Sequence, residues 1–234
     1  MLGLFTDLSN VLKIILVMAI AYLLGSVNIA IIVTKLFTGK DIRTMGSGNA
    51  GFTNVMRSVG KAAGILTFIG DFLKCVVAVI IGGLIFRTMS SDANATELSG
   101  YGRYLAGMCC FLGHIYPIYF KFKGGKGVVT MAALSAVINL PVFAVSFLTF
   151  AVTFVITKIV SISSILGSCM LVVSTFIITY FYNYKYLGAV SFEYVITVSV
   201  LTLAISATTI IKHKDNIKRL LKGEEKKLSI GSKK

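Results

Sequence analysis

Charge is scarce in this chain. Only 14% of its 234 residues are charged, against 56% that are hydrophobic. With a mean hydropathy of +0.87, this excludes an ordinary soluble domain, which needs enough polar side chains to cover its surface. A bilayer supplies the missing solvent. Proline is nearly absent, and two prolines beside 22 glycines suit packed membrane helices, where small residues let backbones approach closely. Cysteine offers no framework. Cys75, Cys109, Cys110 and Cys169 all lie in apolar segments, so buried free thiols are expected and neither a disulfide scaffold nor a metal site is. No small-residue cleavage site follows the first apolar stretch, which therefore reads as an uncleaved helix. No composition shift marks a second domain, and no internal repeat is visible.

The charge that is present is mostly of one sign. A net charge of +14 would suit nucleic acid if it were clustered. Here the basic residues occupy short loops and a tail between apolar segments, a topological pattern that also adheres to anionic headgroups. The expected partner surface is the lipid bilayer, with no nucleic acid.

The fold class that follows is all-α, a polytopic integral membrane helical bundle. A first span over Val11–Val33 is about 35 Å long at roughly 1.5 Å per residue, enough to cross. Further spans are expected near Ala62–Phe86, Tyr104–Phe120, Ser161–Phe181 and Gly188–Ile211. The stretch Val128–Ile156, about 43 Å, is long for one crossing and short for two. Asn139-Leu140-Pro141 lies in its middle, and helices usually break before proline. Charge parity decides between these. Five basic residues against Asp41 in Lys35–Lys61, and Lys121, Lys123 and Lys126 after the third span, place both loops in the cytoplasm. The loop Arg87–Arg103 is balanced by Asp92 and Glu97 and faces out. Nine basic residues against three acidic after Ile211 put the tail inside. An outside N-terminus and a cytoplasmic C-terminus then require the central stretch to enter and return, giving about seven transmembrane helices, two of them short. Residues 1–211 form the bundle with its motif loops, and 212–234 a basic cytoplasmic tail.

Two loops carry most of the polar chemistry. In Gly46-Ser47-Gly48-Asn49-Ala50-Gly51-Phe52-Thr53-Asn54-Val55-Met56-Arg57, glycines let backbone N–H groups approach an anion. The Asn, Thr and Arg side chains can hydrogen-bond phosphate or polyol oxygens. The plainer alternative is a hydrophilic loop with turn residues. Lys121-Phe122-Lys123-Gly124-Gly125-Lys126-Gly127-Val128-Val129-Thr130 leads a glycine-rich turn into a helix, a natural phosphate cradle with Lys126 as a point charge. It is not a Walker P-loop, and a positive-inside loop with a tight turn is the alternative. Serines after Lys158-Ile159-Val160 suit helix glue. His213 and Asn216, one turn apart, open the basic tail. Asp71 and Lys74 share a helix face at i,i+3, and a charge in mid-membrane, costing about 2.5–3.5 kcal/mol, asks for mutual pairing. His114 is expected to hydrogen-bond inside the bundle, and Glu193 to sit at the interface.

Together these residues resemble the bacterial acyl-phosphate:glycerol-3-phosphate acyltransferase family over nearly the whole chain. The similarity begins with Gly25-Ser26 and the string from Gly46 to Arg57, and continues through Asp71-x-x-Lys74, Gly113-His114 and Phe122 to Thr130. It closes with Val160-Ser161 and the run from His213 and Asn216 to Arg219, Gly223 and Glu225. The family usually has proline where Asn28 stands, glycine at Cys75 and alanine at Val129, departures that touch helix shape and packing more than chemistry. The resemblance implies a bacterial cytoplasmic (inner) membrane enzyme with its active site facing the cytoplasm. It would move a fatty acyl group from acyl phosphate to the 1-hydroxyl of sn-glycerol-3-phosphate, giving lysophosphatidic acid and phosphate, the first step of phospholipid synthesis. By the family pattern, Ser47, Asn49, Thr53, Asn54 and Arg57 border the reacting centre. Gly124, Gly125, Lys126, Gly127 and Thr130 hold phosphate, and His213 and Asn216 bind glycerol-3-phosphate.

Ser47, Asn49, Arg57 and Lys126 are the catalytic candidates. No metal and no cofactor is expected, and the enzyme that produces acyl phosphate is a candidate partner. Acyl phosphate arrives activated, so positioning and charge stabilisation matter more than a strong nucleophile. Arg57 and Lys126 would neutralise the leaving phosphate. No Ser–His–acid triad assembles, which favours direct transfer. The rival classes are a transporter or channel for a small phosphorylated anion, and a lipid-binding scaffold. The first predicts paired halves with broken helices at mid-depth; the second leaves the glycine motifs unexplained.

Overall fold

The computed structural model describes residues 7–89 and 95–228. Asp92, counted in the charge balance above, and the last six residues of the tail lie outside them. Among the described residues the chain is helical, with no strand. Five helices, at 8–38, 61–87, 140–157, 160–186 and 192–212, are long and apolar enough to cross a membrane. Residues up to Ile138 group into one compact unit and those from Asn139 into another.

The first unit opens with helix α1 (Leu8–Ser26), capped by Asp7, whose side chain accepts the Ser9 N–H. The span expected over Val11–Val33 lies within 8–38, but it is not one continuous helix. The chain breaks at Val27–Asn28 and resumes as α2 (Ile29–Thr38), with buried Asn28 accepting the Ile31 N–H as N-cap. A polar cap thus starts the second helix. Gly39, at φ +70°, ends α2. A 3-10 turn (Ile42–Thr44) and α3 (Phe52–Ser58) carry the first polar loop into α4 (Lys61–Arg87).

Helix α5 (Ala95–Ile115) stands where a span over Tyr104–Phe120 was expected, but it lies further toward the N-terminus and is not among the five helices apolar enough to cross. Its first half holds Glu97, Ser99 and Arg103, which hid it from a search for apolar runs. Small residues bring the helices close. A Cβ on Gly25 of α1 would strike the Cys110 carbonyl of α5, and one on Gly113 would strike that of Tyr22. Gly82 and Gly102 face each other's carbonyls in the same way. The unit ends with α6 (Val128–Ile138), about 16 Å long and too short for a full crossing.

The second unit begins at the expected break. Asn139 caps α7 (Leu140–Thr157) by accepting the Val142 N–H, with Pro141 in the first turn. Of the two helices expected to be short, only α6 is, since α7 is long enough to span. Helix α8 (Val160–Ile177) continues as a π-helical stretch (Ile178–Tyr186), followed by α9 (Phe192–Lys212) and the short α10 (Lys214–Leu221). Serine hydroxyls link the helices: Ser146 donates to the Gly167 carbonyl at 2.9 Å and Ser206 to that of Ser168 at 2.7 Å. Apolar side chains such as Leu84, Leu148, Ile156 and Val200 point outward, as a lipid solvent allows. All four cysteines are free, but Cys169 is exposed, against the expectation that each thiol is buried; it faces the outer side of α8. Glu193 is exposed in the first turn of α9.

Candidate active site

In the first unit the two glycine-rich loops meet. Beneath the first lies an apolar cluster of Ala30, Ile31, Val33, Ile42, Ala50, Val55 and Ala63, which anchors the loop to α2. Its shape is held by Asn54, 4% exposed. The Asn54 amide donates to the Met45 and Asn49 carbonyls, each at 3.0 Å, and to that of Ile42 at 3.4 Å. Its oxygen accepts the Ser47 N–H at 3.0 Å. The side chain of Asn54 is therefore engaged by the loop's own backbone. With Asn54 holding the loop, Ser47 and Arg57 lie on the exposed side, while Asn49 and Thr53 are half-buried.

The second loop is laid across the end of α5. Gly124 and Gly125 donate their N–H groups to the Ile115 and His114 carbonyls, both at 3.1 Å. Those two amides serve the fold, contrary to the expectation that the whole glycine run cradles phosphate. A Cβ on Gly125 would strike His114 Nε2 and lie 2.7 Å from the Ala50 carbonyl oxygen of the first loop, so glycine is what lets the loops touch. Gly127, at φ +81°, packs against the Phe111 ring. Thr130 is buried and its hydroxyl donates to the Gly127 carbonyl at 2.8 Å. Lys126 is half-buried between these fixed points, just ahead of α6. The free amides at the start of that helix favour an anion there.

Arg43, which the sequence did not single out, ties the loops together. Its guanidinium pairs with Asp41 at 2.6 Å and donates to the Phe120 carbonyl at 2.9 Å. The Arg43 hydrogen bonds hold the Asp41 carboxyl below its ordinary range. An open cleft of about 440 Å³ runs beside it, lined by Asp41, Arg43, Thr44, Gly48, Lys121, Lys123 and Gly124. Three cationic side chains against one paired carboxylate make it a place for an anion.

The second unit holds a polar cluster around Glu225. One Glu225 oxygen accepts from Ser161 at 2.8 Å and Asn216 at 2.6 Å, and the other from Arg219 at 2.7 Å. Burial pushes the Glu225 carboxyl up, but these donors outweigh it and the group titrates below its ordinary value. Leu228 closes the turn by donating its N–H to the Lys158 carbonyl at 2.8 Å. His213 is 3% exposed, with Nδ1 2.7 Å from the Thr209 carbonyl. A carbonyl only accepts, so Nδ1 bears the proton and, in the neutral ring, Nε2 carries the lone pair. Ser161, Arg219 and Glu225 were legible as motif residues, but nothing in their spacing announced that one carboxylate gathers them. Among the described residues no group of three metal-ligating side chains occurs.

The fold and site define a polytopic helical membrane protein with anion-attracting glycine loops. A family model described as glycerol-3-phosphate acyltransferase matches residues 15–223. A glycerol-3-phosphate acyltransferase of Clostridioides difficile is 42% identical, covering 94% of this chain and 97% of that one. One from Macrococcus caseolyticus is 38% identical, at 93% and 98% coverage. Among solved structures, PlsY (YgiH), an integral membrane glycerol 3-phosphate acyltransferase in its glycerol 3-phosphate form, superposes with a TM-score of 0.75 at 32% identity, covering 92% of this chain and 96% of that one. Its lysophosphatidic acid form gives 0.72 at 30% identity, covering 92% and 95%. The chain belongs to the glycerol-3-phosphate acyltransferase family.

Proposed function

We infer that this protein is a membrane acyltransferase that moves a fatty acyl group from acyl phosphate to the 1-hydroxyl of sn-glycerol-3-phosphate, releasing phosphate and lysophosphatidic acid. The observation that carries this is the meeting of the two glycine-rich loops, with Gly125 between the His114 ring and the Ala50 carbonyl and Lys126 next in the chain, in a sequence matched by its family model from 15 to 223. Both substrates bring a phosphate. Lys126 and Arg57 balance the charge that builds on the leaving phosphate, Ser47 and Asn49 border the reacting carbonyl, and Thr53 lies beside them. Asn54, Gly124, Gly125, Gly127 and Thr130 hold the loops in the shape that presents these groups. His213 and Asn216 bind glycerol-3-phosphate, with substrate phosphate or water taking the hydroxyl proton. The acyl phosphate is already activated, so positioning and electrostatic stabilisation suffice for direct transfer.

The same reading makes the chain a seven-helix bundle of the bacterial cytoplasmic membrane. Its membrane helices are 8–38, 61–87, 95–115, the short 128–138 that enters with 140–157 returning, 160–186 and 192–212, with the start of α1 outside. The motif loops and the basic tail face the cytoplasm, where glycerol-3-phosphate and the enzyme that makes acyl phosphate would be met. The test is direct: full-length protein purified in detergent should form lysophosphatidic acid from acyl phosphate and glycerol-3-phosphate, with one phosphate released per product. Comparable turnover with acyl-CoA would overturn the donor assignment, and absence of any product would overturn the enzyme.

A further inference from the structure

Ionisable side chains inside membrane helices are rare, and three of them meet in the first unit. Asp71 and Lys74 of α4 pair at 2.7 Å, and His114 Nδ1 of α5 lies 3.2 Å from the Lys74 ammonium and 3.4 Å from Asp71. All are at most 9% exposed. The ammonium also donates at 2.7 Å to the carbonyl of Val27, the residue at the break between α1 and α2. The ammonium thus pairs with Asp71, donates to Val27 and lies against the His114 ring. Nδ1 faces both the ammonium and the Asp71 carboxylate, so the ring is held by its Nδ1 edge.

A buried ion pair is weak evidence for stability, since apolar residues of like volume often serve as well. Its placement is more telling. The far edge of the His114 ring, Nε2 and Cε1, lies where a Cβ on Gly125 would have to go. The His114 carbonyl takes the Gly125 N–H at 3.1 Å. Gly125 thus touches the fixed residue through both its backbone and its missing side chain, and Lys126 follows immediately.

We propose that Asp71, Lys74 and His114 form a positioning relay for the phosphate loop. Asp71 and Val27 fix Lys74, Lys74 fixes the His114 ring, and the ring sets the height at which Gly125 presents Lys126 to a phosphate group. The proposal rests on the reading of Lys126 as a phosphate ligand. None of the three relay residues touches substrate; they act through Gly125.

The test uses full-length protein in detergent and initial rates against glycerol-3-phosphate. His114→Leu removes both the polar contact with Lys74 and Asp71 and the ring edge under Gly125. It should raise KM by roughly tenfold to a hundredfold, the usual cost of a small misplacement, with kcat changed far less, the signature of lost binding. His114→Asn keeps a polar group near the Nδ1 position and should show a smaller rise. Gly125→Ala alone should be impaired, and His114→Asn should partly rescue it by vacating space for the new Cβ, which places the effect at this contact, while the rise in KM without loss of kcat sets it apart from a merely structural role. If His114→Leu does not fold, the Asn variant and the rescue decide. An unchanged KM in folded His114 variants, a loss in kcat alone, or absence of rescue, beside a raised KM in Lys126→Ala, overturns the relay while leaving the phosphate loop standing. Normal kinetics in Lys126→Ala overturn both.

Discussion

Around Gly46–Arg57 and Phe122–Thr130 the buried polar groups turn inward and hold backbone. Asn54 gathers three carbonyls, Thr130 bonds to Gly127, and the Gly124 and Gly125 amides bond to the end of α5. Around Glu225 the same kind of polar side chains instead turn toward one carboxylate, which takes Ser161, Asn216 and Arg219. The inner bonds of the first cluster are neutral dipoles and its close approaches are missing side chains, so it should be intolerant of added atoms. The second is built around a charge, so it should tolerate small changes in shape and respond to protonation.

The sharpest way to break that contrast is Asn54→Asp. It replaces an NH2 group that faces three carbonyls with an oxygen. Each buried group left unpaired costs about 1–3 kcal/mol, so the first loop should lose its shape and activity should vanish, with a lower melting temperature in detergent. An active, stable Asn54→Asp protein would mean that the amide does not organise the loop.

Glu225→Gln probes the other cluster. Its effect should be smaller, about 1–2 kcal/mol, since Arg219 is 40% exposed and solvent screens the pair. The folded-state pKa of Glu225 is depressed, so its stabilisation is complete above the ordinary value of 4.5 and is lost as pH falls through the depressed value. Melting curves from neutral to acid pH should therefore show a steeper acid loss in the parent protein than in Glu225→Gln. Equal acid limbs would contradict the charge-centred account.

His213→Gln should do less still to turnover. With Nδ1 held by the Thr209 carbonyl, the role proposed for His213 is to orient substrate, and glutamine preserves hydrogen bonding without titrating. A kcat within about tenfold of the parent, with an unchanged acidic limb, is expected; a loss near 10²–10⁴-fold with that limb abolished would make His213 the general base.

The fold was most legible where one residue type has one local meaning. Asn139-Leu140-Pro141 announced a helix break, and the structure puts the N-cap of α7 there. The i,i+3 spacing of Asp71 and Lys74 announced a pair, found at 2.7 Å. The break at Asn28 was missed because both flanks are apolar and an asparagine cap carries less signal than proline. The π-helical stretch Ile178–Tyr186 has no counterpart in a hydropathy pattern. At the site, the glycine motifs located the loops but could not say which polar groups face outward. That depends on long-range contacts, as with Asn54 across nine residues to Met45 and Arg43 across 77 to Phe120. The buried state of Gly125 and Asn216 also bears on topology. Cysteines there would be shielded, whereas Ser47, Lys123 and Lys222 are exposed, and single cysteines at these three should all react with an impermeant thiol reagent from the cytoplasmic side. Reaction of Lys222→Cys only from outside would remove one crossing from the proposed seven.

The kinetics of Lys126→Ala bear most directly on the central claim that the joined glycine loops hold a phosphate. A charge-assisted contact to phosphate is worth about 1.5–3 kcal/mol, or roughly tenfold to a hundredfold in binding. A well-folded Lys126→Ala protein should therefore need that much more glycerol-3-phosphate to reach half-maximal rate. Lys126→Arg should recover only part, because a planar fork fits a glycine-lined turn poorly. An unchanged KM and kcat in folded Lys126→Ala would contradict the account.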